Sequence, residues 1–160
     1  MKMLLFLLPL TLNVVWSAIL DTTQLDRISF GSKTYLISKI LVDNFQAAQQ
    51  FCNNFGAYVA EVDTEGEFQL LQAFQRFSPE IQNLYISGTD AASENRWVHQ
   101  RTGAEVGFLR WTTGQPSNTW GNENCLELSL ADASGMNDMK CVYQERPIRI
   151  LCEKDASSNF

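Results

Sequence analysis

The sequence predicts an α+β fold: two helices packed on antiparallel sheet, with a long loop carrying the chemistry. Three observations predict it. Two stretches, residues 45–55 and 68–77, repeat apolar side chains at helical spacing behind helix-start signals. From Leu84 onward the apolar pattern breaks into short runs between loops, the habit of strands. The helical stretches precede these runs and do not alternate with them, which favours α+β over a parallel α/β sheet. The chain has 160 residues, the length of one domain.

The elements follow in order. Met1-Lys2-Met3 and the apolar run Leu4 to Leu10 have the form of a secretory signal, with Val15 and Ser17 small enough for a cut after Ser17. A membrane anchor is the competing reading, but the run is too short to span a bilayer and contains Pro9. A polar leader follows. Ser29-Phe30-Gly31-Ser32 reads as a turn, and Tyr35-Leu36-Ile37 as a strand. Asp43 is a plausible N-cap for a helix that buries Phe45, Ala48, Cys52 and Phe55 and stops at Gly56. A strand with alternating Ala57, Val59 and Glu61 comes next. Thr64 and Glu67 form a capping-box pair that opens a second helix with Phe68, Leu70 or Leu71, Phe74 and Phe77 inward, ended by Ser78-Pro79. Further strands are expected at Leu84-Tyr85-Ile86, residues 96–99, residues 125–130 and residues 149–152. Between them, residues 101–124 hold glycines, a proline, Trp111 and Trp120 without a strand period. His99 is a lone histidine and is assigned no role.

Composition narrows the function. A net charge of −6 and a pI near 4.7 argue against nucleic-acid binding, which needs a basic face. The four cysteines, Cys52, Cys125, Cys141 and Cys152, imply two disulfides in an exported chain, and three pairings are open. A cysteine-based zinc site is a weak alternative, since there is no Cys-x-x-Cys pair and one histidine. No nucleophile with a neighbouring base is evident, so the sequence reads as a binding protein and not an enzyme.

The chemistry gathers between Gln115 and Cys141. Gln115-Pro116-Ser117, Glu123-Asn124-Cys125 and Asn137-Asp138 place amide and carboxylate oxygens around a loop bracketed by two cysteines. Calcium takes six to eight such oxygens in a tolerant geometry. Glu123 and Asp138 supply two carboxylates to balance it.

At this point the chain resembles a C-type lectin domain. The likeness rests on the Cys52 helix with its Gly56 stop, on Tyr85-Ile86-Ser87-Gly88-Thr89-Asp90, on Glu123-Asn124-Cys125, on Asn137-Asp138 and on Cys152-Glu153. It is most similar to secreted single-domain insect lectins. With the signal over 1–17 and the leader over 18–27 set aside, the resemblance places the lectin domain over 28–154 and leaves a tail over 155–160. It also implies the pairing Cys52–Cys152 and Cys125–Cys141. It implies a calcium held by Gln115, Ser117, Glu123, Asn137 and Asp138, with sugar hydroxyls binding that ion and its ligands. Ser117 departs from the family, which has Asn or Asp there, and a hydroxyl is the poorer ligand. Asn118 lies next to it as a substitute. The affinity expected is on the order of 10⁻⁴ to 10⁻³ M. Asp90, Glu94, Asn118 and Asn124 stand where an auxiliary calcium is held.

Gln115 resembles the galactose type of loop, and Trp120 lies near the position of an aromatic ring that stacks on galactose. Galactose or N-acetylgalactosamine is therefore expected ahead of mannose. Recognition of microbial or self glycans and agglutination are the implied roles, and agglutination requires at least a homo-oligomer. The rival is a calcium-independent domain of the same fold that binds a protein, which Ser117 favours.

Overall fold

The computed structural model of the protein describes residues 22–130, 135–142 and 146–155. The segment read as a secretory signal and the residues beyond Asp155 lie outside these. No helix among the described residues is long and apolar enough to cross a membrane.

Strands β1 (Leu25–Phe30) and β2 (Lys33–Ser38) form an antiparallel hairpin. Helix α1 (Phe45–Asn54), strand β3 (Tyr58–Val59), helix α2 (Glu65–Gln75) and strands β4 (Asn83–Thr89), β5 (Cys125–Ser129), β6 (Gly135–Met139) and β7 (Arg149–Asp155) follow. The sheet order is β1-β2-β7-β4-β5-β6, with β3 also on β7. Pairings are antiparallel except β4 with β7, which is parallel through Leu84 with Arg149 and Tyr85 with Ile150. The mixed sheet thus differs from a wholly antiparallel one at a single joint.

Strand alternation sorts the core onto two faces. Tyr35, Ile37, Leu84, Ile86, Leu126, Leu128 and Leu151 join Phe68 and Leu71 of α2 in one cluster. Leu36, Tyr85, Cys125, Ile150 and Cys152 join Ala48 and Cys52 of α1 in the other. Cys52 is bonded to Cys152, fixing α1 to β7, and Cys125 is bonded to Cys141. Both pairings are those the resemblance implied. The first closes a separation of 100 residues, a loop constraint of roughly 4–5 kcal/mol on the unfolded chain.

Helix α1 is capped by Asn44 and not by Asp43. The Asn44 side chain accepts from the Ala47 N–H at 2.8 Å and donates to Asp43 at 2.7 Å. Gly56 stops the helix with φ +62°, a left-handed conformation that suits glycine. The α2 cap is Thr64, accepting from the Glu67 N–H, while Glu67 turns back to the Asp63 N–H and the Thr64 hydroxyl. Phe68 and Leu71 are buried as expected, but Phe77 is 87% exposed. It lies past the last turn, where the helical period no longer aims a side chain at the core. Residues 96–99 form no strand. Val98 alone bridges to Thr89 and Glu105, while Trp97 and His99 are buried on either side of it.

Lys33 carries a buried charge network. Its ammonium lies 2.7 Å from Glu67 and 3.0 Å from Glu153, and donates to the Glu61 carbonyl at 3.3 Å. Tyr35 donates to Glu67 at 2.7 Å and Tyr58 to Glu153 at 2.8 Å. Burial opposes the charge on Lys33, yet the bonds to Glu67 and Glu153 outweigh it and hold its pKa above the ordinary value. Burial raises Glu67, but its bonds from Lys33, Tyr35, Thr64 and the Asp63 N–H prevail and lower it. At Glu153 burial dominates and the pKa is raised.

Candidate functional site

The long loop is tied to the sheet at Gly135. A Cβ there would lie 2.8 Å from the Arg110 carbonyl oxygen, so only glycine admits the loop backbone this close. The Met136 N–H donates to the Arg110 carbonyl and the Thr112 N–H to the Met136 carbonyl at 2.9 Å. Trp111, half-buried, packs its ring 5.4 Å from Trp97 and against the α2-side core. These contacts bring residues 115–123 over the ends of β5 and β6.

Three of the five main-site residues are joined by direct bonds. The Ser117 and Asn118 N–H groups donate to the two oxygens of the buried Asp138 carboxylate at 2.9 and 2.6 Å. The Ser117 hydroxyl donates to Glu123 Oε2 at 2.9 Å, and the Thr119 N–H donates to the same oxygen at 2.7 Å. Ser117 therefore spans the two carboxylates. Gln115, joined to Pro116 by a cis peptide bond, is half-buried, and its side-chain oxygen is buried with no hydrogen-bond partner. Asn137, on β6, donates its amide to Glu127 Oε2 at 3.3 Å, so its carbonyl oxygen is not used in that bond.

Asn118, the neighbour of Ser117, is bonded on both sides of its side-chain amide. Its amide donates to Glu94 at 2.6 Å and its carbonyl accepts from the Glu123 N–H at 3.3 Å. This draws Glu94 and Asn118 together. Asp90 is buried; one carboxylate oxygen accepts from the Asn95 N–H at 2.9 Å and the other has no partner. Asn124 is half-buried beside Cys125. Trp120 is 88% exposed and holds φ +62°, a left-handed conformation uncommon for a bulky side chain. It is not a core anchor.

Sequence reasoning missed Glu127. It is buried on β5, accepts from Asn137, and is paired with Arg146. Burial raises its pKa against the pull of Arg146 and Asn137. The signal was its place on the Cys125 face of the strand, a face that is buried.

The donor set fits a hard cation. Two carboxylates, the Asn137 carbonyl and an orphaned glutamine oxygen offer oxygens alone, the ligand chemistry of calcium. An orphaned buried acceptor is costly without a partner, and a cation supplies one.

Comparison with known proteins identifies the family. The family model for the lectin C-type domain matches residues 42–154. The chain is 33% identical over 136 residues to C-type lectin 37Db of Drosophila melanogaster, covering 80% of this chain and 86% of that protein. It is 30% identical to salivary C-type lectin 1 of Aedes albopictus, covering 71% and 78%. The human scavenger receptor C-type lectin carbohydrate-recognition domain superposes with a TM-score of 0.67 at 28% identity, covering 81% of this chain and 95% of that one. By its sequence, its two disulfides and its mixed sheet flanked by two helices, the chain belongs to the C-type lectin domain family.

Proposed function

We propose that this chain is an exported, calcium-dependent lectin that prefers galactose or N-acetylgalactosamine. Family membership supports carbohydrate binding. The observation that carries the calcium reading is the spanning of Glu123 and Asp138 by Ser117, together with the partnerless Gln115 oxygen. Gln115, Glu123, Asn137 and Asp138 would hold the ion, with Ser117 acting mainly as a donor that sets the two carboxylates. Bound calcium would supply a positive centre for two neighbouring sugar hydroxyls, whose remaining hydrogen bonds go to its ligands. Asp90, Glu94, Asn118 and Asn124 form the proposed auxiliary site.

Calorimetric titration with calcium tests this directly. One main binding event in the range of 10⁻⁴ to 10⁻³ M is expected, and Glu123→Gln should weaken it at least about tenfold. Calcium binding that survives Glu123→Gln unchanged would exclude this loop as the site. Galactose should then compete for a galactose matrix better than mannose does.

Trp120 supports the galactose preference, because an exposed ring in a strained conformation is free to stack on an apolar sugar face. Trp120→Ala should reduce galactose retention roughly tenfold, about the value of one aromatic contact, and leave calcium affinity unchanged. Equal loss of both would assign Trp120 a structural role instead.

Ser117 favours a second reading, calcium-independent binding of a protein. A hydroxyl already donated to Glu123 supplies no carbonyl to a metal. Absence of any calcium effect on stability or glycan binding would select that reading.

A further inference from the structure

We propose that Glu61, Asp63 and His99 form a second metal site, of the zinc type, apart from the calcium loop. Glu61 and Asp63 lie on the connection from β3 to α2, and His99 on the segment after β4. One donor atom from each falls within 4.8 Å of the other two. His99 Nε2 is 2.9 Å from Asp63 Oδ1.

The three side chains are held in place. His99 is 3% exposed. Asp63 Oδ1 accepts from the Gly107 N–H at 3.1 Å. Arg101 donates to both oxygens of Glu61, at 3.2 and 2.9 Å, and rests its guanidinium on the Tyr58 ring. Such outer bonds orient metal ligands, and each carboxylate oxygen keeps a further lone pair for an ion. Nε2 is the ring nitrogen turned to the carboxylates and the proposed ligand, while Nδ1, on the far side of the ring, is buried with no partner and takes no part in the site.

The donor set names the metal class. Calcium binds through oxygens in a shell of six to eight. One imidazole and two carboxylates suit zinc, which takes nitrogen and oxygen ligands in a tetrahedron and leaves one position for water here. Two carboxylates also match a divalent charge, although Arg101 offsets part of it. The Asp63 side chain, 35% exposed, provides the way in. A bound ion would cross-link the β3–α2 connection to the segment from Trp97 to Gly107.

The sequence makes the test specific. The chain holds one histidine, and no free cysteine is present among the described residues. Zinc titration of the tag-free mature chain, with calcium in excess, should show one site. Glu61→Gln and His99→Gln should each weaken it at least about tenfold, while Glu123→Gln should leave it unchanged. The imidazole resonances of the unmodified protein should shift on zinc addition, so the test stands even if His99→Gln does not fold. No zinc uptake, unshifted imidazole resonances at saturating zinc, or equal affinity in Glu61→Gln and the unmodified protein would overturn the proposal.

Discussion

Lys33→Met is expected to destabilise the fold by about 3–5 kcal/mol at neutral pH, the usual result of removing one partner from a buried ion pair. Glu67 and Glu153, with side chains 4% and 1% exposed, would then lack their cation. The pH dependence identifies the cause. Lys33 has a raised pKa in the folded state, so its contribution is full below the ordinary lysine value and is lost as pH rises through the folded one. Glu67 has a lowered pKa, so its contribution is present above the ordinary carboxylate value and is lost as pH falls through the folded one. Glu153, already raised by burial, works in the opposite sense. Without Lys33 both carboxylates lose a bond that holds their pKa down, so the destabilisation should shrink as the pH drops into the carboxylate range. Denaturant unfolding at neutral and acid pH measures this. A loss independent of pH would mean that Lys33 acts through packing of its stem.

Asp138→Ala is expected to abolish calcium binding, with a loss beyond about a hundredfold, and to loosen the loop as well. Asp138 is both a proposed ligand and the acceptor for two consecutive N–H groups. Removing a ligand should exceed the 10–100-fold typical of outer-shell changes. Ser117 is exposed and Asn118 half-buried, so water can replace the lost bonds. The global cost should therefore stay near 1–3 kcal/mol. Hydrogen exchange at residues 117 and 118 should rise while that of β5 holds. Protected loop amides together with normal calcium affinity would contradict the arrangement.

What the sequence made legible follows from which forces act locally. Helix spacing, the Thr64–Glu67 cap and the Gly56 stop are decided within a turn or two, so α1 and α2 could be placed. Strand β6 was read only as Asn137-Asp138 ligands. Its five residues show no strong alternation, and it is a strand because it pairs with β5 and because Gly135 admits the loop. The Lys33 network was hidden for the same reason, since its partners lie 34 and 120 positions further along. The oxygens of Gln115, Glu123, Asn137 and Asp138 were legible as a calcium-type loop between two cysteines, and family resemblance gave them their roles. Their mutual bonds, including the donor role of Ser117 and the support from Glu127, needed coordinates. Asp43 and Phe77 failed at helix ends, where a one-residue shift changes which side chain caps or packs.

Strand β7 bonds to β2, β3 and β4, and it carries Cys152. It is also the last of these to leave the ribosome. The β1–β2 hairpin can form during synthesis, but its neighbour on the inner side does not exist until about residue 155 has been made. Until then β2 and β4 expose the edges that β7 will fill, and the thiol of Cys52 has no native partner. Such open edges invite association with other chains. A chain stopped a few residues before Cys152 is therefore expected to aggregate and not to form a shortened domain.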